Sequence, residues 1–259
     1  MGRNIAFNWA EIKYRGRTVM ARRIRSAGGA WIDSRLEIDG HIIKPAEDPR
    51  FVEHCGKLYC TYNKNVGNSG NKTCITSVEK TPETYAVLYG NRVEKNWCFF
   101  SLGGRLYAVY DLAISRVLEF SNFQVAGEMD SEPLTWEFGR ISGSTPPVMV
   151  GDRLTMFFHS WVRERWGDAS NANRPIRVYY IGFCELESSP PFAVLRYSKR
   201  PLAVFDFNQW PCVYPCSALR YNNGWQLACG FNDYCSGRVF VSDRVIENSM
   251  QGCKASVGV

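Results

Sequence analysis

The segment Glu47-Asp48-Pro49-Arg50 places two carboxylates and a guanidinium together, just before the strand-like run KLYCTYN. Groups of these types exchange protons and bind polar substrates, so the segment is a candidate functional site. Because a proline disfavours the helical region for the residue before it, we expect Asp48 to be extended and aimed in one direction. A turn carboxylate paired with Arg50 is the simpler interpretation of the same residues.

The segment VEKNWCFF (93–100) has the residue types of a sugar-binding surface. It places Glu94, Lys95 and Asn96 beside Trp97. An indole face can stack under a sugar ring while polar groups bond to the hydroxyls around its rim. A buried tryptophan flanked by solvated charges is the alternative interpretation.

Two later segments have groups that suit an anion. GRISGSTPPV (139–148) combines Arg140 with a turn of small residues, and exposed backbone amides together with a guanidinium can bind an oxyanion. His159 follows an apolar strand, where a histidine is more often a core or loop residue than a catalyst. Each pattern by itself is also typical of an ordinary loop or strand end.

A recurring phrase organises the whole chain: a turn that contains glycine, then a strand of small, apolar and aromatic residues that ends on a polar group. The copies lie at residues 14–23, 54–63, 102–111, 150–160 and 222–233. Most steps between copies are about 40 to 50 residues, the length of one four-stranded propeller blade. The last step is longer, and its extra length coincides with the polar segment 163–177, which we predict to be an inserted loop.

The runs between these copies are rich in β-branched and aromatic residues, and hardly any has a helical period. The sequence therefore predicts an all-β fold, a five-bladed β-propeller that occupies residues 1–259 as a single catalytic domain; a β-sandwich with repeated hairpins is the alternative. Propeller strands converge on a central axis, so the polar groups that end the five phrases should gather in one funnel. These groups are Arg23, Asn63, Asp111, His159 and Asp233.

The composition of the 259-residue chain narrows the classes of function. No window approaches the roughly 18 apolar residues of a membrane span, and no secretion signal is present, so we expect a soluble, cytoplasmic protein. The ten cysteines are scattered as buried thiols are, and Cys212 and Cys216 lack zinc-site spacing, so no metal is expected. The net charge of +6 favours anionic partners such as phosphate or a sugar phosphate; without a nucleic-acid motif, no nucleic-acid partner is expected.

The chain resembles glycoside hydrolase family 130 in a series of motifs. They are EDPRF before a GKLY strand, STPPV before a strand ending in FHS, YYIGFCELESSPPFAVLRYSKRPL, and VYPCSALRYNNGWQLACGFND. That family consists of five-bladed propellers that act as inverting mannoside phosphorylases and hydrolases, and mannosyltransferases are related to it. The resemblance extends from about Asn8 to Val241, nearly the whole chain.

The resemblance implies roles for single residues. Asp48 matches the family's single catalytic acid, which relays a proton through a sugar hydroxyl. Tyr179 and Asp233 match residues that hold the reacting sugar, and Arg23 resembles the arginine that ends the family's first such strand. Three residues fall where phosphorylases present cationic or hydrogen-bonding groups to phosphate: Lys95, Arg140 and His159. The complete predicted set of substrate-binding residues is Arg23, Arg50, Asn96, Trp97, Tyr179 and Asp233.

The leading hypothesis is an inverting glycoside phosphorylase or glycosyltransferase that acts on mannose-like sugars. Phosphate is already an anion, so one acid and a set of cations suffice where an inverting hydrolase needs an acid and a base. No cofactor is expected, and the co-substrate is inorganic phosphate, a sugar phosphate or a nucleotide sugar, with a sugar or oligosaccharide as acceptor. A hydrolase is the nearest alternative, with Glu47, Glu94 or Asp206 as its base. A noncatalytic carbohydrate-binding propeller is the alternative from another class.

Overall fold

In the computed structural model the chain forms five antiparallel β-sheets arranged as a five-bladed β-propeller. The predicted fold is therefore confirmed, and a sandwich of two packed sheets is excluded. The structure describes residues 4–26, 33–66, 70–79, 84–87, 89, 94–165, 175–202 and 209–252. The described part of the chain has no helix with the length and apolar surface needed to cross a membrane.

Each blade is formed mainly by strands that follow one another in the sequence. Blade 1 contains β1 (Asn4–Tyr14), β2 (Arg17–Ser26), β3 (Arg35–Ile38) and β4 (His41–Ile43). Blade 2 contains β5 (Glu47–His54), β6 (Lys57–Asn65), β7 (Asn71–Ser77) and β8 (Thr84–Ala86). Blade 3 contains β9 (Cys98–Leu102), β10 (Arg105–Asp111), β11 (Arg116–Ser121) and β12 (Gln124–Asp130).

The last two blades are joined by the carboxy-terminal segment. Blade 4 contains β13 (Arg140–Gly143), β14 (Val148–Val150), β15 (Arg153–Arg165), β16 (Pro175–Glu187) and β17 (Val194–Ser198). Blade 5 contains β18 (Val213–Tyr221), β19 (Gly224–Phe231) and β20 (Cys235–Ser242). The helix α1 (Asp243–Ser249) then leads to β21 (Met250–Gly252), which pairs with β17 at the outer edge of blade 4.

Every copy of the glycine phrase forms the hairpin that leads into a long strand of its blade. The turns join β1 to β2, β5 to β6, β9 to β10, β14 to β15 and β18 to β19. In the first four turns the marker glycine has a φ between 61° and 77°, a region that glycine enters without steric cost. In the fifth turn Asn222 has the left-handed conformation, and Gly224 is required because a Cβ there would lie 2.4 Å from the Val241 carbonyl oxygen.

The hydrophobic core lies between adjacent blades. Separate clusters of buried side chains join blade 1 to blade 2, blade 2 to blade 3, blade 3 to blade 4 and blade 4 to blade 5. The cysteines predicted to be buried, Cys60, Cys98, Cys184 and Cys229, are fully buried in these clusters. All nine cysteines in the described ranges are free thiols.

The ring closes where blade 5 meets blade 1. Glu11 of β1 accepts two hydrogen bonds from the guanidinium of Arg238 on β20 and one from the side-chain amide of Gln226 on β19. Arg238 also lies over the indole of Trp9, with 4.7 Å between its guanidinium carbon and the ring centroid, which is within the range of a cation–π contact. This seam, defined by Trp9, Glu11, Gln226 and Arg238, is thus fastened by side chains.

The prediction of an inserted loop at 163–177 is wrong at both ends of that segment. β15 and β16 pair with each other as far as Arg165 and Pro175, so residues 163–165 and 175–177 are strand. Residues 166–174 lie outside the described residues. The outer end of this hairpin extends beyond β13, so no inner strand packs beside it and its residues need not alternate between apolar and polar types. Its polar composition therefore resembles that of a loop.

Candidate active site

A cavity of about 690 Å³ lies among the inner strands and is lined by residues of blades 1, 2, 4 and 5 and by Lys95 and Asn96, which lead into blade 3. Eight of the predicted site residues line it: Arg23, Asp48, Lys95, Asn96, Arg140, His159, Tyr179 and Asp233. Of the other polar strand ends, Asn63 donates a hydrogen bond to Asp48, and Asp111 forms an ion pair with Arg140. The five phrases therefore bring their polar ends to one funnel, as the repeat predicts.

Asparagine and aspartate residues with left-handed backbone surround the funnel. They are Asn8 (φ 46°), Asp48 (φ 54°), Asn96 (φ 67°) and Asp233 (φ 53°). The prediction that Asp48 is extended is therefore wrong. A register shift in the strand ladder surrounds both Asn8 and Asp48, and such a bulge re-aims one side chain. Asn and Asp adopt the left-handed backbone region more readily than most other residues, which explains why these two residue types occupy the bulged positions that face the axis.

Asp48 is held by three donors. Its Oδ1 accepts hydrogen bonds from Asn8 Nδ2 at 2.8 Å and from Arg23 Nη1 at 3.1 Å. Its Oδ2 accepts one from Asn63 Nδ2 at 3.4 Å. Burial raises the pKa of the Asp48 carboxyl, but the positive charges of Arg23 and Lys95 lower that pKa by more. The net pKa lies below the usual value, so Asp48 is a carboxylate at neutral pH.

Glu47 and Asp233 are carboxylates of the same cavity with the opposite pKa shift. Glu47 Oε2 lies 2.8 Å from Arg23 Nη2, on the guanidinium that also binds Asp48. Burial raises the pKa of both Glu47 and Asp233, and the negative charge of Asp48 raises it further. One guanidinium cannot compensate several carboxylates, so Asp48 keeps its charge while its neighbours hold protons to higher pH. Carboxylates with pKa values driven apart are typical of acid–base sites.

Arg50 is a strut beneath the cavity and does not line it. Only 1% of the residue is exposed. Its guanidinium donates to the carbonyl oxygens of Asp48 at 3.1 Å and Ser144 at 2.6 Å, and to the hydroxyl of Tyr214. The Tyr214 hydroxyl in turn donates to Asn96 Oδ1 at 2.9 Å. The prediction that Arg50 contacts substrate is therefore wrong, because its donors are used to connect blades 2, 4 and 5.

Trp97 is also not a substrate platform. It is 2% exposed and packs edge-on against Tyr89 and Tyr110, in the core between blades 2 and 3. Asn96, just before β9, has a left-handed backbone, and it lines the cavity while its neighbour Trp97 turns into the core. The alternative of a buried tryptophan is the correct one.

His159 and Tyr179 form part of the wall that blade 4 contributes. Their rings are stacked, with centroids 5.7 Å apart, and His159 meets the ring of Tyr214 edge-on at 4.8 Å. His159 Nδ1 is hydrogen-bonded to Ser144 Oγ at 2.7 Å. Burial and the nearby positive charge of Arg50 lower the pKa of His159 to about 3. His159 is therefore neutral, and it can offer a hydrogen bond but no positive charge to an anion.

Arg140 is at the rim of the cavity. Its side chain is 77% exposed and lies 3.0 Å from Asp111 Oδ2. The turn after Arg140 is not an oxyanion site, because Ser144 and Thr145 are fully buried and the Thr145 amide donates to the Phe157 carbonyl. This part of the sequence prediction is wrong: the small residues let the turn pack inside the blade, which uses up its backbone donors.

Eight lining residues were not named as site residues by the sequence analysis. They are Asn8, Asn65, Asn71, Ser142, Trp161, Arg177, Cys212 and Tyr214. Trp161 follows the predicted His159 by two residues, and Arg177 precedes the predicted Tyr179 by two. Because side chains two apart in a strand share one face, this spacing alone was enough to find both. No comparable signal marks Tyr214, whose hydroxyl reaches Asn96 across the funnel.

The sequence matches no protein-family model and no curated protein. Solved structures do match the fold. A mannose phosphorylase from Leishmania mexicana in complex with phosphate ion has 14% identity and a TM-score of 0.66, over 93% of this chain and 84% of its own. A GDP-Man-dependent mannosyltransferase from the same organism has 15% identity and a TM-score of 0.63, over 92% and 86%.

A third similar structure comes from the GH130 family of mannoside phosphorylases, which contains glycoside hydrolases that target beta-1,2 mannosidic linkages in Candida mannan. It has 13% identity and a TM-score of 0.68, over 94% of this chain and 86% of its own. The structural neighbours are thus propellers of the group that the sequence motifs resemble. The class defined here is a five-bladed β-propeller with a polar axial cavity, similar in fold to these solved structures.

Proposed function

We propose that the protein is an inverting carbohydrate-active enzyme that acts on mannosides, as a phosphorylase or a glycosyltransferase. The observation that carries this proposal is the environment of Asp48: one carboxylate held by three donors, in a cavity that also contains Lys95 and Arg140. The activities of the structural neighbours support the choice of mannosides.

The proposed reaction divides the chemistry between Asp48 and the cations. In the cleavage direction the Asp48 carboxyl gives its proton to a sugar hydroxyl, which passes its own proton to the glycosidic oxygen. A phosphate oxygen forms a bond to the anomeric carbon as the glycosidic bond breaks, with inversion. Lys95 and Arg140 offset the charge of phosphate and position it, and neutral His159 supplies a hydrogen bond. Tyr179 and Asp233 contact the reacting sugar.

The charge of Asp48 favours the transfer direction. When a sugar is transferred from a phosphate-bearing donor, the acceptor hydroxyl must lose a proton as its oxygen bonds to the anomeric carbon. Asp48 is ionised in the free cavity because its pKa is lowered, so it is in the state that accepts this proton. A bound sugar that excludes water raises the pKa of the carboxyl, as burial does, which prepares Asp48 for the reverse reaction.

Hydrolysis is the second candidate, because the cavity contains further carboxylates. An inverting hydrolase places its acid and base on opposite faces of the sugar, roughly 6.5–9.5 Å apart. Glu47 and Asp48 bind the same guanidinium, at 2.8 and 3.1 Å, and so lie on one side of the site. Glu94 is 1% exposed, and Asp206 lies outside the described residues. This geometry disfavours Glu47 as the base and favours phosphate as the nucleophile.

Product analysis tests the proposal. The protein is incubated with β-1,2-mannobiose, with and without inorganic phosphate, and separately with mannose and either mannose 1-phosphate or GDP-mannose. We expect mannose 1-phosphate from the first mixture only when phosphate is present, or a new mannoside from the second. Free mannose released equally in both conditions identifies a hydrolase. Binding of the sugars without any product identifies a noncatalytic propeller.

A further inference from the structure

The β15–β16 hairpin extends beyond the inner strand of blade 4. β13 begins at Arg140, which pairs with Trp161 of β15. β15 and β16 continue to pair beyond this level as far as Arg165 and Pro175. The outer hairpin, residues 161–165 and 175–179, therefore projects past the rest of the blade on the side of the cavity that Trp161 lines.

The outer hairpin carries two arginines in directly opposite positions. Arg163 and Arg177 are cross-strand partners, so their side chains leave the same face of the sheet. Like charges that face each other in this way destabilise a strand pair, and an anion between them removes the repulsion. Neither guanidinium forms an ion pair with a carboxylate of the described residues.

Arg177 is also preorganised. Its guanidinium carbon lies 4.6 Å from the ring centroid of Trp161. A guanidinium stacked on an aromatic face keeps the donors on its edge available for a bidentate contact with an oxyanion. Trp161 and Arg177 both line the cavity, so these donors are open to a ligand there.

The position of this pair separates it from the phosphate of the reacting sugar. Arg163 follows His159 by four residues on β15, which is roughly 13 Å along a strand. His159 marks the inner end of this wall, because its ring contacts Tyr214. The hydroxyl of Tyr214 accepts a hydrogen bond from Arg50, which lies beneath Asp48. Both arginines therefore lie four residues beyond the His159–Ile181 pair along their strands, towards the outer end of the hairpin.

We propose that Trp161, Arg163 and Arg177 form an outer subsite for a phosphate group that the substrate carries beyond the reacting sugar. The position of the reacting sugar rests on the proposed function. Two substrates have this chemistry: a nucleoside-diphosphate donor, whose second phosphate lies beyond the first, and an acceptor sugar that is itself phosphorylated. Both present tetrahedral oxyanions that suit a pair of guanidinium groups.

Binding measured by calorimetry on the full chain tests the subsite with two pairs of probes. Mannose 1-phosphate is compared with GDP-mannose, which adds an outer phosphate and guanosine, and mannose is compared with mannose 6-phosphate, which adds an outer phosphate alone. We expect the outer phosphate to increase affinity at least tenfold in one pair, as charge-assisted hydrogen bonds do. The pair that shows the increase identifies whether the donor or the acceptor carries the phosphate.

The variants locate the effect. Arg177→Met keeps much of the side-chain volume without the charge and should abolish the increase, while the affinity for the probe without an outer phosphate stays within twofold. Arg163→Met should reduce the increase, and Arg105→Met, at an exposed arginine of blade 3, should leave it unchanged. The proposal is overturned if neither pair shows an increase, or if Arg177→Met weakens both members of a pair equally. These measurements need no turnover, so an inactive protein that retains the increase contradicts the proposed function and leaves the subsite standing.

Discussion

Of the three described arginines that lie over tryptophan rings, Arg238 lies at the seam between blades 5 and 1 and Arg177 lies at the cavity. The guanidinium carbon lies 4.7 Å from the ring centroid for Arg238 over Trp9 and 4.6 Å for Arg177 over Trp161. At the seam, Glu11 accepts two hydrogen bonds from Arg238. At the cavity, no carboxylate of the described residues forms an ion pair with Arg177. At the seam the stacked arginine thus has a carboxylate partner, whereas at the cavity the stacked arginine remains available to an anionic ligand.

The buried carboxylates of the two regions differ in the same way. Glu11 has Arg238 and Gln226 as partners, and these lower its pKa although burial raises it. In the cavity Arg23 is shared by Glu47 and Asp48, so the pKa of Glu47 is raised while that of Asp48 is lowered. A carboxylate with its own cation stabilises the structure at the seam. Carboxylates that share one cation, as in the cavity, can still bind a proton or respond to a ligand.

The largest expected effect is on turnover, from a change that removes the charge of Asp48. Asp48→Asn keeps the shape of the side chain but cannot exchange the proton, so turnover should fall by about 10²- to 10⁴-fold in the assays described above. Asp39→Asn is the matched control, because Asp39 also has a left-handed backbone (φ 45°) and an arginine partner, at the surface. If Asp48→Asn retains near-normal turnover, Asp48 is a structural carboxylate like Glu11.

The second effect concerns stability. Arg238→Met leaves Glu11, whose side chain is 2% exposed, without its cation, which should cost about 3 kcal/mol of unfolding free energy. Arg177→Met removes a stacked cation that no described carboxylate needs, so its cost should stay below about 1 kcal/mol. Chemical denaturation of both variants measures the difference. Equal costs would show that the two stacks are equally structural.

The third effect depends on pH and comes from neutral His159. Its pKa is about 3 in the folded protein, against 6.5 for an unperturbed histidine. As the pH falls below 6.5, the unfolded chain takes up a proton that folded His159 does not, so stability decreases. Between pH 7.5 and 5 this amounts to ~2 kcal/mol, which His159→Gln should remove from the pH dependence of unfolding.

His41→Gln is the control for this measurement, because His41 is an exposed residue of β4. The decrease in stability that comes from His159 should persist in that variant. A His159→Gln variant with an unchanged pH dependence would mean that His159 takes up its proton in the cavity as it does in the unfolded chain, and so adds a positive charge to the cavity in acid.

The smallest effect concerns the rim. Arg140 is 77% exposed and already paired with Asp111, so solvent and Asp111 reduce its contribution to anion binding. Arg140→Ala should weaken inorganic phosphate about tenfold, the lower range of a charge-assisted contact, and mannose by less than twofold. Arg105→Ala is the control in the calorimetric titration. Equal weakening of phosphate and mannose would assign Arg140 to the sugar rather than to the anion.

Local patterns in the sequence predicted much of the fold. The five glycine turns and the strands after them were found because a tight turn and a period of two are properties of adjacent residues. The same local logic brought Arg23, His159 and Asp233 to the funnel. It failed at Trp97, which is one residue away from Asn96 and belongs to the opposite face of the chain.

The identity of Asp48 as a cavity residue was also accessible from the sequence, but its conformation was not. The proline rule predicted an extended backbone, whereas the bulge in β5 gives a φ of 54°. A bulge is a property of two paired strands, so its position depends on the register with β6. The prediction for Arg50 failed because it also depended on contacts between distant parts of the chain. The guanidinium of Arg50 donates to Ser144 and Tyr214, which sequence patterns near Arg50 do not reveal.

The sequence by itself determined the number of blades, the turns between their strands and the arrival of polar side chains at one end of the propeller. These features follow from turn geometry and from alternation along single strands. Only the tertiary structure decided which charges are matched. Glu11 and Arg238 are 227 residues apart in the chain, and they meet because the ring closes. Charge compensation is a property of neighbours in space, so the difference between a fastened seam and an open cavity exists only once all five blades are in place.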